Sequence, residues 1–161
     1  MLVSIPALDF QRLSVHLVPV TLKAKHSLHE PGERIDIVYC LEDAVASVVR
    51  TMGNGNTVEV GVIGRDGAVG LPTVMGSGIA VNRTFIQLPG CGYSVKAKVF
   101  CEQVESFSEL RLCLYLATEG YLVQTAQTAA CNRIHALEER SARWLMMCSD
   151  RIRFDHIPIT H

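Results

Sequence analysis

The chain has 161 residues, 48% of them hydrophobic and 19% charged, with a formal net charge of −1. That length supports a core that needs neither disulfides nor metals, and the apolar content with low net charge excludes intrinsic disorder. The charge also argues against strong nucleic-acid binding by this chain itself, because such binding needs clustered cations that displace counterions from phosphate.

Eleven of the twelve glycines lie between Gly32 and Gly92, and five of the six prolines precede residue 90. Breakers are therefore concentrated in the first half, which reads as short strands. Residues 35–41 are mostly apolar and β-branched, residues 44–52 follow, and residues 57–63 alternate large with small or polar side chains. Gly53-Asn54-Gly55-Asn56 joins the last two, its Asn-Gly step supplying the positive φ angles of a tight hairpin. Residues 83–89 and 91–97 make a further pair around Pro89-Gly90. Strands at this spacing point to a sandwich or barrel.

The second half reads as helix. Leu112, Tyr115, Leu116, Leu122, Val123, Ala126, Ala129 and Ala130 recur at three-to-four spacing. A second stripe, Ile134, Leu137, Ser141, Trp144, Leu145, Cys148 and Ile152, continues with a change of phase near Asn132, which is expected to cap the last helix. Glu139 and Arg143, four apart, are expected to pair. The architecture is thus a small β-barrel or roll, a long helix and another helix. Pro158-Ile159-Thr160-His161 reads as the start of one more.

A mean hydropathy of +0.23 does not arise from a membrane segment. A spanning helix needs about 20 mostly apolar residues, and the best stretch, residues 112–131, contains Glu119, Gln124 and Gln127. The N-terminus lacks a basic leader and carries Asp9. A cytoplasmic location is expected. Six cysteines, at positions 40, 91, 101, 113, 131 and 148, include no Cys-x-x-Cys pair, so reduced thiols are expected rather than a zinc or iron–sulfur site. Nothing around Cys131 or Cys148 points to a redox-sensing thiol.

Chemistry-bearing motifs are few. Gly-x-Gly at 53/55, 76/78 and 90/92 lacks the third glycine and the following helix of a dinucleotide-binding turn. His26, His29 and Glu30 do not form the convergent ligand set of a β-barrel metal enzyme. Cys131 and His135, one helical turn apart, lack two further metal ligands. Asn82-Arg83-Thr84 matches a glycosylation acceptor without other signs of secretion. Arg83 begins a strand after a loop of small residues, 69–80, where its guanidinium fork and the loop amides would suit a phosphate.

Several stretches, in order across essentially the whole chain, resemble bacterial transcription regulators of the Crp/Fnr family. They are Glu30-Pro31-Gly32-Glu33 and Val38-Tyr39; Val58-Glu59-Val60-Gly61 with Ile63-Gly64-Arg65-Asp66-Gly67-Ala68-Val69-Gly70; and Gln87-Leu88-Pro89-Gly90. Then come Gln127-Thr128-Ala129-Ala130-Cys131-Asn132-Arg133 and Leu137-Glu138-Glu139-Arg140-Ser141-Ala142-Arg143-Trp144-Leu145. The resemblance implies an α+β fold: a double-stranded β-helix, the jelly-roll-like cyclic-nucleotide-binding β-roll, followed by a long dimerisation helix and a further helix. It implies a roll with a short N-terminal helix over residues 1–106, the dimerisation helix over 107–132, and the first helix of a DNA-binding domain over 133–161.

It also implies function. An effector at the roll would contact Arg83, Thr84, Gly70 and Leu71, with Thr125 of the long helix above it, and the signal would pass through the dimer to DNA binding. The dimer seam would comprise Leu112, Tyr115, Leu116, Glu119, Leu122, Val123, Ala126 and Ala130. DNA and RNA polymerase would be engaged only through a C-terminal winged helix-turn-helix beyond residue 161; the region after Phe100 has no lysine, six arginines and eight acidic residues. Leu71 stands where the family's phosphate cassette carries a glutamate that accepts from the ribose 2′-hydroxyl. An unpaired buried hydroxyl costs about 1–3 kcal/mol, so weak binding of a cyclic nucleotide is expected and the effector is left open. A stand-alone regulatory module without a DNA partner is the alternative. No enzymatic activity is expected.

Overall fold

The computed structural model describes residues 5–153 and residue 157. A short helix α1 (Ala7–Ser14) leads into β1 (Val18–Leu22), β2 (Ser27–His29), β3 (Ile37–Leu41), β4 (Val45–Thr51) and β5 (Thr57–Ile63). After a 3-10 turn at Leu71–Thr73 come β6 (Arg83–Leu88), β7 (Gly90–Lys96), α2 (Ala97–Ser106), α3 (Ser108–Ile134) and α4 (Leu137–Ser149). The strands form two antiparallel sheets, of order β1-β7-β3 and β2-β6-β4-β5. This is the α+β β-roll with C-terminal helices expected from the sequence.

Strands β3 to β7 fall within two residues of the expected spans. β1, β2 and α2 were not anticipated. β1 carries Pro19 and packs with only Leu22 buried, so its strand pattern is weak and pairing with β7, Val18 opposite Ser94 through Leu22 opposite Gly90, defines it. β2 is three residues long with an irregular register against β6. α2 buries Ala97, Phe100 and Val104, a stripe of only three residues.

The hairpin at residues 52–56 differs from a tight Asn-Gly turn. Asn56 accepts at its carbonyl from the Met52 amide at 2.7 Å, and only Gly55 adopts positive φ, +83°. Asn54 instead accepts at Oδ1 from the Asn56 amide at 3.1 Å, the local turn that short polar side chains favour.

Three apolar clusters share the core. The roll interior holds Leu22, Ala46, Val48, Ile63, Val69 and Ile86. A second cluster joins Leu13, Val38, Leu71, Phe100, Leu110 and Leu114, fastening α1, α2 and the start of α3 to one end of the roll. The third places Val45, Val62 and Leu88 against Cys148 and Ile152, with Trp144 and Met147 at its edge. β4 is consequently buried on both faces along Val45, Ala46, Ser47, Val48 and Val49.

Two helix-end expectations are corrected. Asn132 lies inside α3, which runs on to Ile134, and α4 starts after Ala136. There the Glu139 carboxylate accepts from the Ala136 amide at 2.9 Å, satisfying one of the unpaired N–H groups at the helix start. Glu139 thus serves the helix end, and Arg143 donates to Thr128 Oγ1 at 3.2 Å. Residues 158–161 lie outside the described residues.

Candidate functional site

The roll carries a half-open cavity of about 110 Å³ between β6, the 3-10 turn and α3. Gly70, Leu71 and Thr84 line it, with His29, Val48 and Tyr121. Gly70 sits at φ +117°, a conformation open to glycine, and a Cβ there would come within 3.0 Å of Val38 Cγ2. That twist turns Leu71 inward, leaving it 8% exposed. Ligand pockets usually measure about 300–1,000 Å³, so this hollow lies below that range, and Leu71 is one of its walls.

The loop that follows satisfies much of its own backbone. Thr73 and Val74 amides donate to Gly70 and Leu71 carbonyls, and the Gly78 amide donates to Pro72 at 3.0 Å. These amides are turned to the chain itself.

Arg83 and Thr125 lie off the cavity. β6 alternates, with Thr84, Ile86 and Leu88 buried and Arg83 and Phe85 on the outer side. Arg83 Nε donates to Glu30 Oε1 at 3.1 Å, its guanidinium 5.4 Å from the Phe85 ring centre. Ser27 Oγ donates to the same Glu30 oxygen at 2.5 Å. The Arg83 and Glu30 side chains are 42% and 43% exposed. Thr125 Oγ1 donates to its own helix at Leu122 O, 2.8 Å away.

α3 reaches the roll through residues that sequence reasoning missed. Tyr121 walls the cavity; burial, and secondarily the charge of Glu59, push its phenol up to about 12. Gln124 Oε1 accepts from the Val62 amide at 2.6 Å, while its Nε2 donates to the Val62 carbonyl at 3.0 Å. A Cβ on Gly61 would approach Tyr121 to 2.8 Å, so the glycine permits this contact. The signal was present as a second helical stripe, Leu110, Leu114, Tyr121, Gln124 and Cys131, on the opposite side from the first.

That first stripe is uncovered. Leu112, Tyr115, Leu116, Leu122 and Val123 are all exposed, as are Glu119, Ala126 and Ala130. Beyond α3, Arg151 grips Asp66 with both ends of its guanidinium, Nη2 to Oδ2 at 2.5 Å and Nε to Oδ1 at 3.2 Å. This ties the end of α4 to the loop after β5.

Other chemistry is sparse. His29 Nε2 donates to the Ile37 carbonyl at 2.9 Å, and burial lowers its pKa while this bond and Glu33 oppose the shift. Burial pushes the Cys40 and Cys148 thiols up to about 12, the reverse of a reactive thiolate. Among the described residues, no group of three His, Cys, Asp or Glu side chains is placed to hold a metal ion. None of their helices is long and apolar enough to cross a membrane.

No family model matches this chain, and no curated protein does. Solved structures do. The c-di-GMP responsive global regulator CLP of Xanthomonas campestris aligns with a TM-score of 0.71 at 14% identity, over 88% of this chain and 71% of that one. FixK2 of Bradyrhizobium japonicum gives 0.70 at 12% identity, over 86% and 69%. A cyclic nucleotide-binding domain of Methylobacillus flagellatus gives 0.59 at 11% identity, over 79% and 71%. These neighbours are regulatory and nucleotide-binding proteins. At such identities the likeness is one of fold, and the chain has the Crp/Fnr-like cyclic-nucleotide-binding fold.

Proposed function

We propose that the chain is the effector-sensing and dimerisation portion of a Crp/Fnr-like transcription regulator. The observation that carries this reading is the two-sided α3. One face is anchored to the roll by Leu114, Tyr121 and Gln124, and the other presents Leu112, Tyr115, Leu116, Leu122 and Val123 to solvent. Five large apolar side chains along one helix face form a patch of the kind that partners cover. A second copy meeting it across a two-fold axis would bury it against itself. Anything altering the roll wall at Tyr121 would then act on the seam through one rigid helix.

The effector would enter against Gly70, Leu71 and Thr84. A charged effector would also recruit Arg83 from Glu30. An exposed pair of that kind is worth about 0–1 kcal/mol, so an anion competes with Glu30 at little cost. A cyclic nucleotide is disfavoured by the cavity volume and by Leu71. DNA and RNA polymerase would be reached through a further domain of such a regulator.

Sedimentation at micromolar concentration tests the seam. Wild type should run as a dimer and the double variant Leu116→Glu/Leu122→Glu as a folded monomer. A monomeric wild type would overturn the proposal. Calorimetric titration with cyclic AMP and cyclic GMP should show no sub-micromolar binding, and tight binding would refute the reading of Leu71.

A further inference from the structure

A second hollow lies away from both the roll cavity and the exposed stripe. It is a cleft of about 770 Å³ between β5, the end of α3 and α4. Its volume falls in the range of small-molecule sites. Val58, Leu137 and Leu145 stay exposed on its walls, together with half-buried Trp144 and Met147. Into this apolar setting project Arg140 and Arg143.

The charge inventory is unbalanced at one atom. Among the described residues, Arg140 Nε is the single buried side-chain nitrogen or oxygen without a hydrogen-bond partner. Its Nη1 reaches Asn132 Oδ1 at 3.3 Å, a neutral acceptor. Arg143 Nη1 likewise has a neutral acceptor, Thr128 Oγ1 at 3.2 Å. The carboxylate in the cleft, Glu59, is engaged elsewhere, accepting from Ser47 Oγ and hydrogen-bonded to Trp144. A buried, unsatisfied cationic donor is costly and is rarely left so in native proteins.

We propose that this cleft binds an amphipathic organic monoanion, a carboxylate with an apolar body. Its head would lie between Arg140 and Arg143 and its body along Trp144, Leu145 and Met147. A carboxylate matches the planar guanidinium forks of Arg140 and Arg143, whose hydrogen bonds here go to the neutral acceptors Asn132 and Thr128. The body covers apolar walls now facing water. A dianion is less suited, because the carboxyl of Glu59 sits in the same cleft and like charges repel at short range. The site bridges α3 and α4, so its occupancy would hold the angle between them. The inference is independent of whether the roll cavity takes an effector.

Trp144 is the only tryptophan and lines this cleft, so its emission reads occupancy of the site in the folded chain. Octanoate titrated into the full chain should change that emission saturably in the millimolar range or below. Octanol, with the same body and no charge, should bind about tenfold more weakly or worse, the loss expected for a charge-assisted hydrogen bond. Arg140→Gln should weaken octanoate by a similar factor and leave octanol unchanged. The proposal is overturned if octanoate gives no saturable change, if octanol binds as well as octanoate, or if Arg140→Gln binds octanoate like wild type. Should that variant fail to fold by circular dichroism, the comparison of the two ligands on wild type still decides.

Discussion

Gln124→Leu tests how α3 is fastened to the roll. β5 is an edge strand, its one partner being β4, and Val62 on it is 1% exposed. The Gln124 amide supplies both an acceptor to the Val62 N–H and a donor to its carbonyl, at 2.6 and 3.0 Å. It completes the edge as a neighbouring strand would. Leucine nearly preserves the volume and removes both bonds, leaving two buried backbone groups unpaired at about 1–3 kcal/mol each. Allowing for the apolar gain of leucine, the net loss is about 2–4 kcal/mol, or roughly 5–15 °C in Tm for a chain of this size. Urea unfolding followed by Trp144 emission, at fixed protein concentration because association shifts apparent stability, measures it. Gln127→Leu is the control: its Nε2 meets only Cys131 Sγ at 3.3 Å, and the change should stay within about 0.5 kcal/mol. If the two variants prove equally stable, the edge-capping role of Gln124 is wrong.

Glu59 gives a pH signature. Burial raises its carboxyl above the ordinary value of 4.5, with hydrogen bonds from Ser47 and Trp144 opposing the shift. The folded chain therefore holds that proton more tightly than the unfolded chain. The resulting stability is complete below the ordinary value and is lost as pH rises through the folded one. Glu59→Gln should remove this loss, so its advantage over wild type grows from about pH 4 to pH 7 in urea midpoints; a flat or inverted difference would count against the assignment. Leu71→Glu restores the carboxylate expected of a cyclic-nucleotide cassette, yet it places a charge among Val38, Ala68 and Val69. It should cost about 3 kcal/mol or more in thermal melts without conferring cyclic AMP binding. A variant as stable as wild type that binds cyclic AMP would refute this reading of Leu71.

Strands β3 to β7 were legible because each carries an alternating or β-branched run, and glycine or proline stands near an end of most of them. The long helix was legible from its three-to-four spacing. β1, β2 and α2 were not, since a proline-bearing strand, a three-residue strand and a three-residue apolar stripe carry little local signal. Asn132 and Glu139 were misread for a related reason. Capping and pairing preferences compete among nearby partners, and the backbone at His135 and Ala136 decides which wins.

The sequence by itself determined that short strands precede helices, the order of those elements and the apolar stripe on α3, because these follow from periodicity and the placement of turn residues along the chain; the β-roll and the seam came from the resemblance of its motifs to the Crp/Fnr family. Only the tertiary structure decided the site. It put Leu71 in the cavity wall and Arg83 with Glu30 outside it, chose Tyr121 and Gln124 over Thr125 as the contacts of α3 with the roll, and gathered Glu59, Arg140, Arg143 and Trp144 around a cleft. Glu30 and Arg83, and Glu59 and the α4 residues, lie far apart in sequence, and which of two neighbouring side chains faces inward is set by strand alternation, helix phase and the twist at Gly70, all of which packing fixes only when the elements meet.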